Sequence, residues 1–600
     1  MMVICIFRSL LLALQKSDFY VMMDILKHRY LFGHNIKKIT FLFVFVAFIF
    51  GKALAQSQYA PLNDDYYHLI DRYEILRGRF TEDFHVAIKP FQRQAIVNLI
   101  DSIEADRMTP LTDQDFFNFE YLRNDSWEWS SKRTAESQKR FLKRFYQKPT
   151  DFFALQNKNV DLHLSPVTSV IIGQESSSKN FLWLTTRGVE MRGLIGKKLG
   201  FYTYVSDTQG AFAQYVNDYT RELVAIRGNQ PQPFVILGES WTKLIKPNGS
   251  DFISARGYLS FNPLKQINLQ FGHDKHFFGS GFRSMLLSDA AAPYLFLKMT
   301  TQLGRFQYVN LWCGMLDDQN IKTKDQTTKK KYAAVHHLSI NLSKNINIGI
   351  FEAEIFSRPG GSFDVNYLNP IIFYRYVESY LGSGDNALLG FDFRWNFLKR
   401  FGFYSQFMVD EFKTSDYFNE PGSWAKKFGF QTGLKYVNAF GIKNLDLQGE
   451  FNLARPYTYS HEAGGENYVH LNVPLAHPMG ANFREFVGIL RYQPTRKLTL
   501  YGTLQRATKG LDFDGQNWGG NIMKDYETRI RDTGNFIGQG GTVTTTFADL
   551  RTSYMLRHNL LIDARFLVRR QDSNVESLRQ NTTLTSFGIR LNIPYRQQVF

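Results

Sequence analysis

The side chains best suited to chemistry gather in one stretch, FGHDKHFFGSGFRSMLLSDAAAPYLFLKM, residues 271–299. His273 and His276 stand three apart, a spacing open to metal ligation. A zinc site needs about four ligands, and only these two lie close together here. Gly279-Ser280-Gly281 is a lone Gly-x-Gly without the Gly-Lys-Ser/Thr that completes a phosphate loop. Its glycines suit positive φ or a close backbone approach instead. Asp274, Lys275, His276, Arg283 and Asp289 form a charged set that can bind an acidic sugar or pair internally. No Gly-x-Ser-x-Gly occurs in the chain. The reading therefore assigns no catalytic residue, no metal and no cofactor and expects a protein that is not an enzyme, with an outer-membrane hydrolase or a porin as the less favoured alternatives.

Other candidates lie further along. His336-His337 open a strand and so point to opposite faces. Tyr367-Leu368-Asn369-Pro370 reads as a turn, because Pro370 restricts Asn369. IIFYRYVESY (371–380) reads as an inward-packed loop segment. Its aromatics and Arg375 can stack on and hydrogen-bond to sugar, or simply pack the loop core. KTKDQTTKKKY (322–332) reads as a solvated outer loop whose attraction for anionic glycan or lipopolysaccharide phosphate would be strongly salt-dependent. The polysaccharide-binding candidates are Lys275, His276, Arg283, Asp289 and Arg375.

These residues must be positioned by a long, strand-rich chain. Of 600 residues 16% are aromatic, mean hydropathy is −0.29, and past residue 56 no run approaches the roughly 20 apolar residues of a membrane helix. Lys plus Arg (71) less Asp plus Glu (55) leaves +16. That sign favours acidic partners: exopolysaccharide, lipopolysaccharide or lipid headgroups. Nucleic acid fits the sign, but no nucleic-acid motif is present and an export signal argues against it.

That signal occupies residues 35–55. Lys37 and Lys38 precede the apolar run ITFLFVFVAFIF (39–50), and Ala53-Leu54-Ala55 forms a small-x-small cleavage site before Gln56. Residues 1–34 read as an upstream extension. Cleavage between Ala55 and Gln56 removes Cys5, leaves Cys313 alone and so rules out an intramolecular disulfide.

Residues 56–159 have helical character and are expected to form a small periplasmic plug or bundle. In KPFQRQAIVNLIDSIEADRM (89–108), Ile96, Leu99, Ile100 and Ile103 fall near helical spacing. Thr112 and Asp115 resemble a capping box ahead of DQDFFNFEYLRND. SQKRFLKRFYQKP (137–149) is basic and amphipathic, either a solvated face or a contact for acidic headgroups.

From residue 160 the period changes to two. Segments of about ten residues alternate, joined in turn by short, often basic turns and by long polar loops, which is the asymmetry of an outer-membrane β-barrel. Eighteen strands are predicted, beginning with 160–171, 181–195, 200–208, 251–261, 266–273, 293–302, 307–316, 332–342 and 347–357. The rest are 386–397, 402–412, 427–437, 443–458, 484–493, 497–507, 543–555, 559–571 and 582–593. Phe401, Phe403 and Phe407 fit a lipid face, and Gln406 and Asp410 a lumen face. The chain ends in Phe600, as barrels of this kind often do, although Pro594 interrupts the last strand. So wide a barrel leaves an aqueous lumen unless the loops or the N-terminal helices fill it.

Four ordered stretches resemble one family: FGHDKHFFGSGFRSMLLSDAAAP (271–293), HHLSINLSKNINIGIFEAEIFSR (336–358), YLNPIIFYRYVES (367–379) and HPMGANFRE (477–485). Together they are similar to the Wzi-like capsule-assembly proteins of the outer membrane, whose Bacteroidota branch includes the gliding-motility protein RemB. Residues 210–250 and 508–542 have no counterpart in the resemblance. It implies an 18-stranded barrel in a Gram-negative outer membrane, with surface loops and a periplasmic helical bundle. It also implies a non-enzymatic role: retaining exopolysaccharide, or serving as a surface component that works with gliding or secretion machinery.

Overall fold

The switch of sequence period at residue 160 marks where the N-terminal helical region gives way to a closed antiparallel barrel. The computed structural model describes residues 57–596, apart from 107–108, 133, 138–143, 177–180, 226–233, 240, 246–248, 318–328, 372, 411–420 and 463–464. The signal region with Ala55 and Gln56, most of the Lys-rich loop, residues 138–143 of the basic 137–149 stretch and Phe600 lie outside the described residues.

Eighteen strands close the wall. The first six are β1 (Val160–Glu175), β2 (Phe181–Ile195), β3 (Leu199–Ala211), β4 (Gly249–Leu264), β5 (Ile267–Asp274) and β6 (Tyr294–Leu303). Next come β7 (Phe306–Asp317), β8 (Lys329–Asn341), β9 (Ile346–Phe356), β10 (Asn386–Phe397), β11 (Phe401–Asp410) and β12 (Phe428–Tyr436). The last are β13 (Leu445–Ala454), β14 (Phe483–Tyr492), β15 (Leu498–Leu511), β16 (Gly541–Arg557), β17 (Leu560–Ser573) and β18 (Gln580–Leu591). Each pairs with its neighbour, and β18 returns to β1 through Leu584↔Glu175 to Leu591↔Thr168. Closure leaves no open sheet edge, which a strand structure in lipid requires.

All eighteen predicted strands are present, with ends shifted by a few residues. The largest trim is at β13, which stops at Ala454 because Pro456 cannot continue the ladder. Alternation also holds where predicted: on β11, Phe407 is exposed on the outer wall while Gln406 and Asp410 are buried inside. The outer face is a belt of exposed apolar side chains such as Val170, Leu259, Phe271, Phe391, Leu504 and Phe587.

The N-terminal helices sit in the barrel at its short-turn end. They are α1 (Asp64–Arg77), α2 (Arg93–Glu104) and α3 (Asp113–Asp125). α3 begins with the expected capping box, Thr112 accepting from the Asp115 N–H and the Asp115 carboxylate from the Thr112 N–H. Helix α1 was not legible. It is enclosed nearly all round, and its inward charges erase any apolar stripe: Asp71, Arg72 and Glu74 are buried beside Tyr73 and Ile75. Asn63 caps its start, and Gly78 ends it in the left-handed region at φ 71.

Charges fix α1 to the wall. Asp71 accepts from Arg394 Nη1 at 2.8 Å and from the Lys435 ammonium. Arg72 donates to Asp115 at 3.2 Å, to Asn438 at 2.9 Å and to the Asp446 carboxylate. Asp65 pairs with Arg551 at 2.8 Å. Arg394, Lys435, Asp446 and Arg551 lie on β10, β12, β13 and β16, Asn438 in the turn after β12 and Asp115 on α3, so one helix is tied to its neighbour and to widely separated parts of the wall.

Candidate functional site

Residues 275–293, between β5 and β6, turn into the lumen and meet the plug there. Ile88 and Lys89 pair with Phe278 and Phe277, and the Gly279 N–H donates to the Ala87 carbonyl at 2.7 Å. A Cβ on Gly279 would lie 2.6 Å from Gln406 Nε2, and one on Gly281 2.6 Å from a Glu450 carboxylate oxygen. The Gly-x-Gly therefore serves close approach. Glu450 holds the loop from the wall, accepting from the Phe282 N–H at 2.7 Å, the Arg283 N–H at 3.0 Å and Tyr404 Oη at 2.7 Å.

Above it the lumen is packed like a protein core. Phe278, Met285, Leu286 and Leu287 meet wall residues Leu311, Phe351 and Met408 and the next inward loop, 455–482. From that loop, Tyr459 Oη donates to the Met285 carbonyl at 2.7 Å, and Tyr468 Oη to the Leu286 carbonyl at 2.8 Å. Both available fillers, loops and helices, thus occupy the lumen. A cavity of about 360 Å³ remains beside α1, with Asp64, His68, Arg256, Lys275 and Arg491 among its lining.

Of the predicted sugar contacts, Lys275, Arg283 and Asp289 line this cavity, whereas His276 and Arg375 do not. Lys275 is buried, and its ammonium donates to the Gly238 carbonyl at 3.1 Å and the Asp289 carbonyl at 2.9 Å. Asp289 itself is half-buried. His276 is buried between Tyr294 and Phe296. Burial, with the Lys298 charge second, pushes its imidazole well below the usual range and keeps it neutral. Arg283 reaches the Glu485 carboxylate at 3.1 Å. His273 lies opposite Leu295 on the outer face, so the two histidines do not converge. Among the described residues no group of three or more His, Cys, Asp or Glu side chains is arranged to hold a metal ion.

Arg375 is elsewhere, and here the expectation needs correction. Residues 371–380 do not pack inward. They lie on the outer wall, where Tyr374 stacks on His336 at 3.8 Å and accepts from Trp312 Nε1 at 3.1 Å. The cause is the facing of the strands: Trp312 stands opposite Leu297, and His336 opposite Glu352, on the lipid side of the sheet. His337 points inward to Asp392 at 2.6 Å, so the two histidines do take opposite faces.

At the long-loop end, segments 421–427 and 512–540 knit together through the Trp424 backbone N–H, which donates to the Asp532 carbonyl at 2.8 Å. Arg529 lies 4.1 Å from the Trp424 ring centre, and Arg531 lies 5.6 Å from both Trp518 and Phe536. Phe513, Ile530 and Phe536 are exposed beside them. Aromatic faces with fixed guanidinium donors can hold a sugar ring by its face while bonding its hydroxyls or carboxylates. These residues carry no local signal in the sequence, because Trp424 and Arg529 come from separate loops and Trp518, Arg531 and Phe536 are brought together only by the folding of their own loop.

A lumen filled from both ends, inside an apolar-belted barrel with long loops on one side, defines an outer-membrane barrel that is not an open pore. The family model of the capsule assembly protein Wzi matches residues 190–581, and the chain belongs to that family. Escherichia coli Wzi, described as an outer-membrane protein involved in group 1 capsule assembly and a carbohydrate-binding β-barrel, superposes with a TM-score of 0.54 at 12% identity, covering 90% of this chain and all of that one. Pseudomonas aeruginosa OprD gives a TM-score of 0.40 at 9% identity, covering 72% of this chain and 94% of that one. Acinetobacter baumannii OccAB2 gives 0.40 at 8%, covering 73% and 99%. No curated protein matches the chain in sequence.

Proposed function

We propose that this barrel retains or organises surface polysaccharide without enzymatic chemistry, holding acidic glycan on its outward-facing long loops. The observation that carries the reading is membership of the capsule assembly family across residues 190–581. The carbohydrate binding described for E. coli Wzi supports the choice of ligand. In this reading residues 1–34 precede a signal peptide cleaved after Ala55, and residues 56–159 plug the barrel from the periplasm. The filled lumen then leaves the loop face as the working surface. Its Trp424–Arg529 and Trp518–Arg531–Phe536 groups supply the contacts, and an excess positive charge of +16 favours an acidic chain. Lys275, His276 and Arg283 shape the lumen beneath that surface.

The test is a deletion strain complemented with wild-type protein or with a variant carrying Trp518→Ala, Arg529→Ala and Arg531→Ala. Cell-associated polysaccharide is expected to return with the wild type and to appear in the medium with the variant. Unchanged retention in the deletion strain would sink the reading. If that strain also failed to spread on soft agar, the Bacteroidota gliding role that the four family stretches suggest would take its place.

A further inference from the structure

The outer wall of a membrane barrel should be apolar, yet two adjacent rungs here are not. On one, Asn310, His336 and Glu352 lie side by side on β7, β8 and β9. On the next, Trp312, Ala334 and Glu354 do the same. Both rungs run on into the lipid-facing belt, through Leu297 on β6 and Leu389 on β10. Glu354 is 0% exposed, and neither of its carboxylate oxygens has a hydrogen-bond partner among the described residues.

What covers these rungs is the connection between β9 and β10. Its two ends are clasped at the top of the wall, where Arg358 grips Asp385 with bonds of 2.6 and 2.7 Å and Tyr367 Oη donates to Asp385 at 2.7 Å. From there it descends to Pro370, whose carbonyl accepts from Tyr308 Oη at 2.8 Å and Asn310 Nδ2 at 3.0 Å. That contact lies level with the middle of β9, roughly 16 Å below the strand's end at ~3.3 Å per residue. The chain climbs back as helix α4 (Tyr374–Leu381), whose first turn donates from the Arg375 N–H to Glu352 at 3.1 Å.

The segment has two faces. Tyr367, Tyr374 and Val377 are buried against Trp312, Ala334 and Phe356. The opposite face is bare and mostly apolar: Ile371 is 84% exposed, Phe373 67% and Tyr380 77%, and the exposed Arg375 among them is paired with Glu378. Such a surface in water is anomalous for one loop of a soluble face. It is continuous, however, with the lipid-facing belt of the neighbouring strands. Irregular backbone is tolerated at membrane depth where protein satisfies its polar groups, and here Tyr308, Asn310 and Trp312 donate to its carbonyls.

We propose that residues 357–385 form a flap seated in the hydrocarbon of the outer membrane. Acyl chains cover Ile371, Phe373, Tyr376 and Tyr380, and the flap seals Glu352, Glu354 and His336 from lipid. The segment is then a second layer of barrel wall and not a glycan-contacting surface loop.

The test uses the unaltered protein in phosphatidylcholine bilayers doped with phosphatidylcholine carrying a photoactivated diazirine in its acyl chain. After illumination, adducts are mapped by mass spectrometry of peptides. Adducts are expected within 371–380 at a yield comparable with the lipid-facing strand 386–397, and not within 512–540. Adducts on 386–397 without any on 371–380 would overturn the proposal.

Discussion

Asp71 is the residue on which the seating of α1 depends most. Burial alone would raise its carboxyl, but the Lys435 ammonium and the Arg394 guanidinium outweigh burial and hold it well below the carboxylate range. Asp71→Asn leaves both cations facing a neutral amide, and breaking a buried pair of this kind costs about 3–5 kcal/mol. The loss is expected to appear as faster amide hydrogen exchange across 64–77. Its pH dependence follows from the depressed folded value. The contribution of ionised Asp71 is present above the unfolded value of ~3.9 and is lost as pH falls below it, toward the lower folded value. The exchange difference between wild type and Asp71→Asn should therefore be full near neutral pH and shrink in acid. A difference that grew in acid would contradict the assignment. At a second position, Thr112→Ala removes the α3 cap, costing about 1 kcal/mol, and should speed exchange in the first turn of α3 alone.

Among the elements, the inward loop 275–293 fills the middle of the lumen, and its seating is expected to limit conduction. Glu450→Ala leaves the Phe282 and Arg283 N–H groups and the Tyr404 hydroxyl without their acceptor, at roughly 1–3 kcal/mol per buried group. In planar bilayers the wild type is expected to pass little current and Glu450→Ala distinctly more. Equal, large currents from both would show that the loop does not close the lumen. The elements were also where the sequence was most and least legible. Strands declare themselves through two-residue alternation, because one face meets lipid and the other meets protein or water; β10 appeared with both its ends as predicted. Helix α3 was readable from Thr112 and Asp115 because a cap is a local motif. Helix α1 and the flap were not, since each is placed by long-range partners. His336, Glu352 and Glu354 carry no sign in sequence that they face outward and need a cover, and so Arg375 was placed inside.

Taken as a whole, the molecule turns a barrel into a closed surface. Helices fill one end, loops fill the middle, and the charged contacts between them are buried. Lys275, His276 and Arg283 looked like a sugar site because charge and aromatic rings crowd together there, but the same composition serves a lumen packed against a plug. The residues proposed to meet a glycan lie in 421–427 and 512–540, where Trp424, Trp518, Arg529 and Arg531 come together. Purified barrel in bilayer discs, titrated with an acidic surface polysaccharide, puts this account to its most direct test. Saturable binding that weakens as salt is raised is predicted, together with about a tenfold loss, ~1.4 kcal/mol, on combining Trp518→Ala with Arg531→Ala. Binding that is indifferent to both salt and those substitutions would contradict it.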